Sequence, residues 1–321
     1  MRIGVSASII AKTKLLQGDT MKKMLFVLNP NAGTRKATKN LAEILAVFNR
    51  ADYDVRVYMT ACQGDAVEAV QKLAPGIDLV VCCGGDGTFH ETITGLLLAD
   101  LDLPVGYIPS GSTNDFASSL GLSADCLEAA RDIMEGVPVT YDAGRFNQRY
   151  FSYVASFGAF TRASYSTPQN AKNMLGHLAY LLEGIQEISQ IRKHHLKVTL
   201  DGEEVLEDDY LFGAVCNATS VGGIMTLDPK QVDLRDGKFE VLLIRAPKSL
   251  QELPECLLSI QKHQYNSAMI TFRAASHILV EADPQMCWSL DGEKENGHER
   301  IEIQNLHNAL RIIKREEIQN D

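Results

Sequence analysis

Between Met24 and Asp142, short apolar runs alternate with stretches of helical periodicity. Residues 24–28 are apolar and end in the breaker-rich Asn29-Pro30-Asn31-Ala32-Gly33, which predicts a strand and then a loop. Leu41, Ile44, Leu45 and Phe48 recur at the spacing of a helix face. Residues 54–59 read as a second strand and 66–73 as a second helix. Residues 78–83 are almost continuously apolar, as a parallel strand covered on both faces requires. A helix over 89–98 and a strand over 105–108 follow. This alternation predicts a doubly wound parallel sheet with helices on both faces.

Beyond Gly144 the texture changes. One helical stretch, 171–191, gives way to short alternating runs at 197–200, 210–217, 239–244, 270–274, 276–281 and 287–290. Three Asp-Gly pairs, beginning at Asp201, Asp236 and Asp291, supply hairpin chemistry. The fold class is therefore α/β plus all-β. The N-terminal doubly wound sheet is followed by a C-terminal antiparallel β domain. In the 171–191 helix, the stripe Leu175, Leu178, Leu182, Ile185 and Ile188 reads as core packing. Arg192-Lys193-His194-His195 after it form a short basic cluster that could meet lipid headgroups. Residues 1–20 lack a secretory core and cleavage pattern and read as a leader outside the fold.

Composition narrows the function. A chain of 321 residues suits about two domains, and 45% apolar with 22% charged residues is globular in character. A formal net charge of −10 argues against nucleic acid, where phosphate neutralisation dominates. No run approaches the ~18 apolar residues of a membrane-spanning helix. The seven cysteines form no paired framework, which fits a reducing cytoplasm.

Candidate chemistry gathers in the first half. Gly84-Gly85-Asp86-Gly87-Thr88 lies between a buried strand and a helix N-terminus, where bare amides and the helix dipole suit a phosphate. Tight-turn packing is the competing explanation for the glycines. A carboxylate would repel bare phosphate, so Asp86 implies an intervening Mg²⁺ or hydroxyl donor. The loops at Asn29–Gly33, Thr60–Asp65 and 110–116 follow strands on the same side, where open parallel sheets collect ligands. Together they describe a nucleotide-sized groove.

Asn29-Pro-Asn-Ala-Gly33, Gly84-Gly-Asp-Gly-Thr88, 109–116 (Pro-Ser-Gly-Ser-Thr-Asn-Asp-Phe) and Asp291-Gly-Glu293 resemble the diacylglycerol/sphingosine-type lipid kinases, in particular the soluble bacterial diacylglycerol kinase-like branch. The resemblance runs from about Met24 to Ile313. It implies a nucleotide-binding domain over 22–143 plus 303–315 and a β-sandwich lipid-substrate domain over 144–302, with ATP and Mg²⁺ in the cleft between them. It assigns ATP contacts to Asn29, Pro30, Asn31, Ala32, Gly33, Thr60, Gly84, Gly85, Asp86, Gly87, Thr88, Phe89, His90 and Ser112. It assigns a structural Mg²⁺ to the loop of Asp233, Asp236 and Lys238, where an exposed hairpin turn is the plain alternative. Two departures stand out: His90 replaces a frequent Asn, and Glu183 replaces a lysine found in some relatives.

Asp-Gly-Glu occurs twice, at Asp201–Glu203 and at Asp291–Glu293. Only the second falls late in the β domain as in the family, so Asp291 and Glu293 are the candidate bases and the first is read as a plain hairpin. The expected activity is ATP- and Mg²⁺-dependent phosphorylation of a lipid hydroxyl, most simply diacylglycerol to phosphatidic acid. The expected location is cytoplasmic, peripheral to the membrane, with a lipid substrate at the membrane surface and a homodimer as an open possibility. An NAD kinase and a non-catalytic nucleotide- or lipid-binding relative are the alternatives.

Overall fold

A computed structural model describes residues 21–158, 192–221, 225–227, 232–262 and 264–315. The leader, the 171–191 stretch with Glu183, the pair Gly222-Gly223 and the polar end of the chain lie outside the described residues.

Strands β1 (Lys22–Leu28), β2 (Tyr53–Met59), β3 (Leu79–Gly84) and β4 (Pro104–Pro109) pair in parallel in the order β2-β1-β3-β4. Their apolar runs are covered on both faces. Met24, Phe26 and Leu28 of β1 and Leu79, Val81 and Cys83 of β3 pack with Ile44 and Phe48 of helix Leu41–Arg50 and Ile133 of helix Cys126–Glu135. The alternate residues Leu25, Val27, Val80 and Cys82 face the helices Asp65–Leu73 and Asp86–Leu98 through Ala66, Val70, Phe89 and Ile93. Side chains of a strand alternate between faces, so continuous hydrophobicity is what a doubly wound sheet needs.

The second half is built from β5 (Val137–Phe146), β6 (Arg149–Phe151), β7 (Val154–Gly158), β8 (His194–Leu200), β9 (Glu204–Cys216), the short pair β10 (Ser220–Val221) and β11 (Met225–Thr226), β12 (Phe239–Arg245), β13 (Ile270–Ala275), β14 (His277–Ala282), β15 (Trp288–Leu290), β16 (Glu293–Glu295) and β17 (Arg300–Lys314). Pairing here is antiparallel, apart from the far end of β17, and gives a sandwich-like domain. Its core stacks Phe146, Phe157 and Trp288, with Val198, Ile278, Ile301 and Ile303 around them. In the basic cluster at the start of β8, Lys193 pairs with Asp209 at 2.6 Å, and His195 lies 3.1 Å from Asp209 and 3.5 Å from Glu207.

Two long strands join the halves. β5 and β17 run antiparallel from Ile303–Phe146 to Lys314–Val137, and Arg311 and Ile312 also pair in parallel with Pro104 and Val105 of β4. The ladder breaks between Leu306 and Leu310, and Asp142 fills the break. Its carboxylate is fully buried and accepts from the backbone N–H of Gly237 (2.8 Å) and Asn308 (2.8 Å), from Asn305 Nδ2 (3.3 Å) and from His307 Nδ1 (2.9 Å). No helix among the described residues is long and apolar enough to cross a membrane.

Removing Asp142 would leave the Gly237 and Asn308 amides without their acceptor and open a gap where a buried charge was held. Asp142→Ala is expected to lower stability by about 3 kcal/mol or more, as a buried charged acceptor with several partners requires. Urea unfolding measures this; a change below about 0.5 kcal/mol, the scale of an ordinary surface substitution, would contradict it.

Candidate functional site

The ends of β1, β2, β3 and β4 open onto one groove of about 440 Å³. Asn29, Asn31, Ala32 and Gly33 line it from the first loop, Thr60, Ala61, Cys62 and Gln63 from the second, Gly85, Gly87, Thr88 and Glu91 from the third, and Gly111 from the fourth. Glu293, from β16 of the other half, closes the opposite wall.

The loops are packed backbone against backbone. A Cβ on Gly111 would sit 2.6 Å from Gly85 Cα, and one on Gly33 would sit 2.3 Å from the Ser110 carbonyl oxygen. Gly87 instead has open space in front of it; a Cβ there meets only Glu293 Oε1 at 3.8 Å. The first-turn amides of helix Asp86–Leu98 have no partner inside the helix, so this end offers N–H donors to an anion. Asn29 fastens the first loop to this turn by donating from Nδ2 to Thr88 Oγ1 at 3.0 Å.

Three carboxylates organise the loops. Asp86 accepts from the backbone N–H of Asp115 (3.0 Å) and Phe116 (3.3 Å), starting the helix Asp115–Leu120. Burial first, and then the charge of Asp115, pushes the Asp86 carboxyl up to about 6. Its two oxygens are therefore committed to the neighbouring loop, and it does not line the groove. Asp86, expected to contact Mg²⁺–ATP, links the third and fourth loops. Glu91, which the sequence reading passed over, accepts from Gly64 N (2.7 Å) and Ala66 N (3.2 Å) at the start of helix Asp65–Leu73. Asp65 receives Tyr58 Oη at 2.6 Å and Ala61 N at 2.7 Å.

The Asp-Gly-Glu turn divides its two acids. Asp291 and Gly292 both have positive φ, +49° and +88°, and Leu290 pairs with Glu293 across them, a two-residue hairpin that Asp-Gly favours. The buried Asp291 carboxylate accepts from the backbone N–H groups of Ser152, Tyr153 and Val154 and lies 2.7 Å from His90 Nδ1. Both oxygens are spent. Glu293, two residues on, presents its carboxylate to the groove and makes no hydrogen bond or ion pair among the described residues. Burial alone would disfavour a charged His90, but the Asp291 hydrogen bond and the charges of Asp291 and Glu293 raise its pKa above the ordinary histidine value.

Other expected residues fall outside the groove. Pro30, Gly84 and the exposed Ser112 do not line it, and Phe89 is stacked in the core on Tyr107 at 4.4 Å. At the proposed metal turn, Asp233, Asp236 and Lys238 are exposed, and Asp236 Oδ1 accepts from Lys238 N at 2.9 Å. No three His, Cys, Asp or Glu side chains among the described residues form a metal-binding group. The decoy turn is more than a plain hairpin: Asp201 accepts from Ser276 N, Ser276 Oγ and His277 N at 2.8–3.0 Å, pinning the β13–β14 bend.

Comparison with known proteins follows the same division. The family model for the diacylglycerol kinase catalytic domain matches residues 23–146, and that for the YegS C-terminal NAD kinase beta sandwich-like domain matches 154–314. A diacylglycerol kinase of Bacillus subtilis (strain 168) is 32% identical over 295 residues, 91% of this chain and 96% of that relative. A diacylglycerol kinase of Staphylococcus saprophyticus is 29% identical over 274 residues, 85% of this chain and 89% of the relative. The solved structure of a diacylglycerol kinase from Bacillus anthracis str. Sterne is similar at a TM-score of 0.70 and 25% identity, across 92% of this chain and 97% of that one.

The two acids of the turn should separate in stability. Asp291→Asn places an amide N–H₂ among four donors and is expected to cost about 3 kcal/mol, whereas Glu293→Gln should stay within about 0.5 kcal/mol of wild type. Equal effects in urea unfolding would contradict the division. Asp86 carries a pH signature. Unfolded, it holds its proton to about pH 3.9; folded, it holds it to about 6. The folded chain thus binds the extra proton between those values, so Asp86's contribution to stability falls as pH rises through that window and is level above it. The difference in unfolding free energy between wild type and Asp86→Asn should carry that slope; a flat difference would contradict the burial assigned to Asp86.

Proposed function

The chain belongs to the diacylglycerol kinase family, and from that premise we propose that it transfers the γ-phosphate of ATP, with Mg²⁺, to the free hydroxyl of diacylglycerol, forming phosphatidic acid. The observation that carries the reading is the Glu293 carboxylate, without a partner among the described residues, facing a glycine-lined helix N-terminus across a groove of nucleotide size. Under this reading 22–143 with 303–315 is the nucleotide half and 144–302 the lipid half, and the enzyme works at the membrane surface as a peripheral protein.

The fit to a triphosphate rests on the closely packed glycines and on the open space at Gly87. The amides of Gly85, Gly87 and Thr88 would bind phosphate oxygens, and Asn29, bonded to Thr88, would hold that turn in place. The fit to Mg²⁺ at the Asp233–Lys238 turn rests on Glu240. It is 3% exposed, its Oε2 has no partner among the described residues, and burial first, then the charges of Asp236, Asp233 and Asp142, push its carboxyl up to about 8. This local excess of negative charge is one that a hard, oxygen-seeking cation offsets. Asp236 would hold the ion by its carboxylate, and Asp233 and Lys238 by their carbonyls. When bound, ATP supplies the transferable phosphoryl group and the metal stabilises charge.

The chain's own contribution to transfer is positioning and proton acceptance. Glu293 orients the lipid hydroxyl toward the phosphate-binding turn and accepts its proton on the carboxylate as the new P–O bond forms and the γ-phosphoryl group's bond to the departing ADP breaks. Asp291 takes no proton; its oxygens hold the 152–154 backbone and His90, which fixes the turn that carries Glu293. Asp86 and Glu91 hold the loops around the phosphates.

Labelled ATP offered with mixed micelles of diacylglycerol, phosphatidylglycerol or sphingosine, and separately with NAD, tests the reading. Label is expected in phosphatidic acid and not in NADP. Glu293→Gln should lower kcat by at least ~10²-fold with the KM for ATP nearly unchanged. Label in NADP, or full turnover by Glu293→Gln, would overturn it.

A further inference from the structure

The family resemblance marks position 90 as a departure, and the geometry shows what the change does. His90 and Asp291 are 201 residues apart in sequence, one on the first turns of helix Asp86–Leu98 and the other on the turn between β15 and β16. Their side chains are 5% and 0% exposed and meet at 2.7 Å. A carboxylate that already accepts three backbone N–H bonds has only acceptor capacity left, so His90 donates from Nδ1. The helix that ends in the phosphate-facing amides is thus tied side chain to side chain to the turn that carries Glu293.

We propose that His90 is a positioning residue: its bond to Asp291 clamps the Asp291-Gly292 turn onto helix Asp86–Leu98 and so sets the position of the Glu293 carboxylate over the phosphate-binding turn. The inference rests on the kinase reading for its catalytic consequence, but not for the clamp itself. His90 does not line the groove, and its Nδ1 is committed to Asp291, so it acts through the turn rather than on substrate. The charged groups facing the imidazole are Asp291 on the β15–β16 turn, Glu293 on β16, Arg149 on β6 and Glu91 on its own helix. Burial opposes the imidazolium, and the Asp291 bond with the neighbouring acids outweighs it, so the His90 pKa is raised. The clamp is an ion pair while His90 holds its proton and weakens to a neutral hydrogen bond as that proton is lost at higher pH. An Asn here would donate a hydrogen bond from the same place with no charge to lose.

Three variants of the full chain test this: His90→Ala removes the donor, His90→Asn keeps a neutral donor near the Nδ1 position, and Glu293→Gln assigns the Glu293 signal. By NMR, the Glu293 side-chain carboxyl carbon should show a second inflection at the pH where His90 itself titrates, and that inflection should vanish in His90→Asn. In phosphoryl transfer, His90→Ala should lose up to ~10²-fold in kcat with the KM for ATP within about 2-fold, as misplacement of a reacting group predicts. His90→Asn should recover most of that loss, and the decline of wild-type kcat at the pH of His90 titration should be absent from it. A Glu293 signal indifferent to His90 overturns the proposal. So does a His90→Ala enzyme with wild-type kcat and pH profile, or a loss that His90→Asn does not rescue. A wild-type chain that phosphorylates no lipid overturns the kinase reading instead, and the NMR titration then decides the clamp by itself.

Discussion

A backbone N–H that leaves its ladder inside a protein must find an acceptor, and around this cleft the acceptors are carboxylates. Asp291 receives three consecutive amides of 152–154, Asp86 receives Asp115 and Phe116, Glu91 receives Gly64 and Ala66, and Asp142 receives Gly237 and Asn308. Each sits where the chain crosses between elements far apart in sequence. A charge-assisted bond inside a low-dielectric interior is stronger than its neutral counterpart, and losing it leaves donors without water to turn to. The acids that stand out in the motifs therefore build the cleft before any of them takes part in chemistry.

That requirement sorts the acids by function. A carboxylate whose oxygens are all bonded is a poor place to put a proton, because accepting one breaks an existing bond. Asp291 is of this kind. Glu293 lies on the same two-residue hairpin as Asp291, yet its carboxylate faces the groove with no partner among the described residues. The hairpin uses its first acid to anchor itself and its last to face the groove. The Asp201 turn shows the same anchoring device in isolation: its aspartate pins a strand bend, and its Glu203 does not line the groove.

The apolar strands of the parallel sheet were legible to within a residue or two, since burial on both faces leaves few alternatives for runs such as 78–83. The joining strands were not. β5 carries Asp142 in its interior, and β17 carries Asn305, His307 and Asn308, so the polar residues that lock the crossing erase the alternation that would have announced it. The groove loops are legible from their glycines, but the bonds of Asp86 to Asp115 and Phe116 are not, because a sequence does not show which backbone amides lie opposite a side chain. Glu91 had a signal: it is an acid in the middle of the otherwise apolar or small 88–98 helix, buried at 9% exposure. Such a residue needs donors. The tight packing of Gly33 and Gly111 explains a share of the motif glycines without any ligand at all.

The central claim is that the Asp291 carboxylate, through the amides it holds from the neighbouring β6–β7 segment, keeps the Glu293 wall of the groove in place. Hydrogen exchange at Ser152, Tyr153 and Val154 tests this most directly. In the wild-type chain these amides should be protected to the level of the β7–β9 ladder. In Asp291→Ala they should exchange faster by orders of magnitude, while the amides of β1 and β3 keep their protection. Unchanged protection at 152–154 in the variant, or exchange in the wild type as fast as in an open loop, would contradict the account.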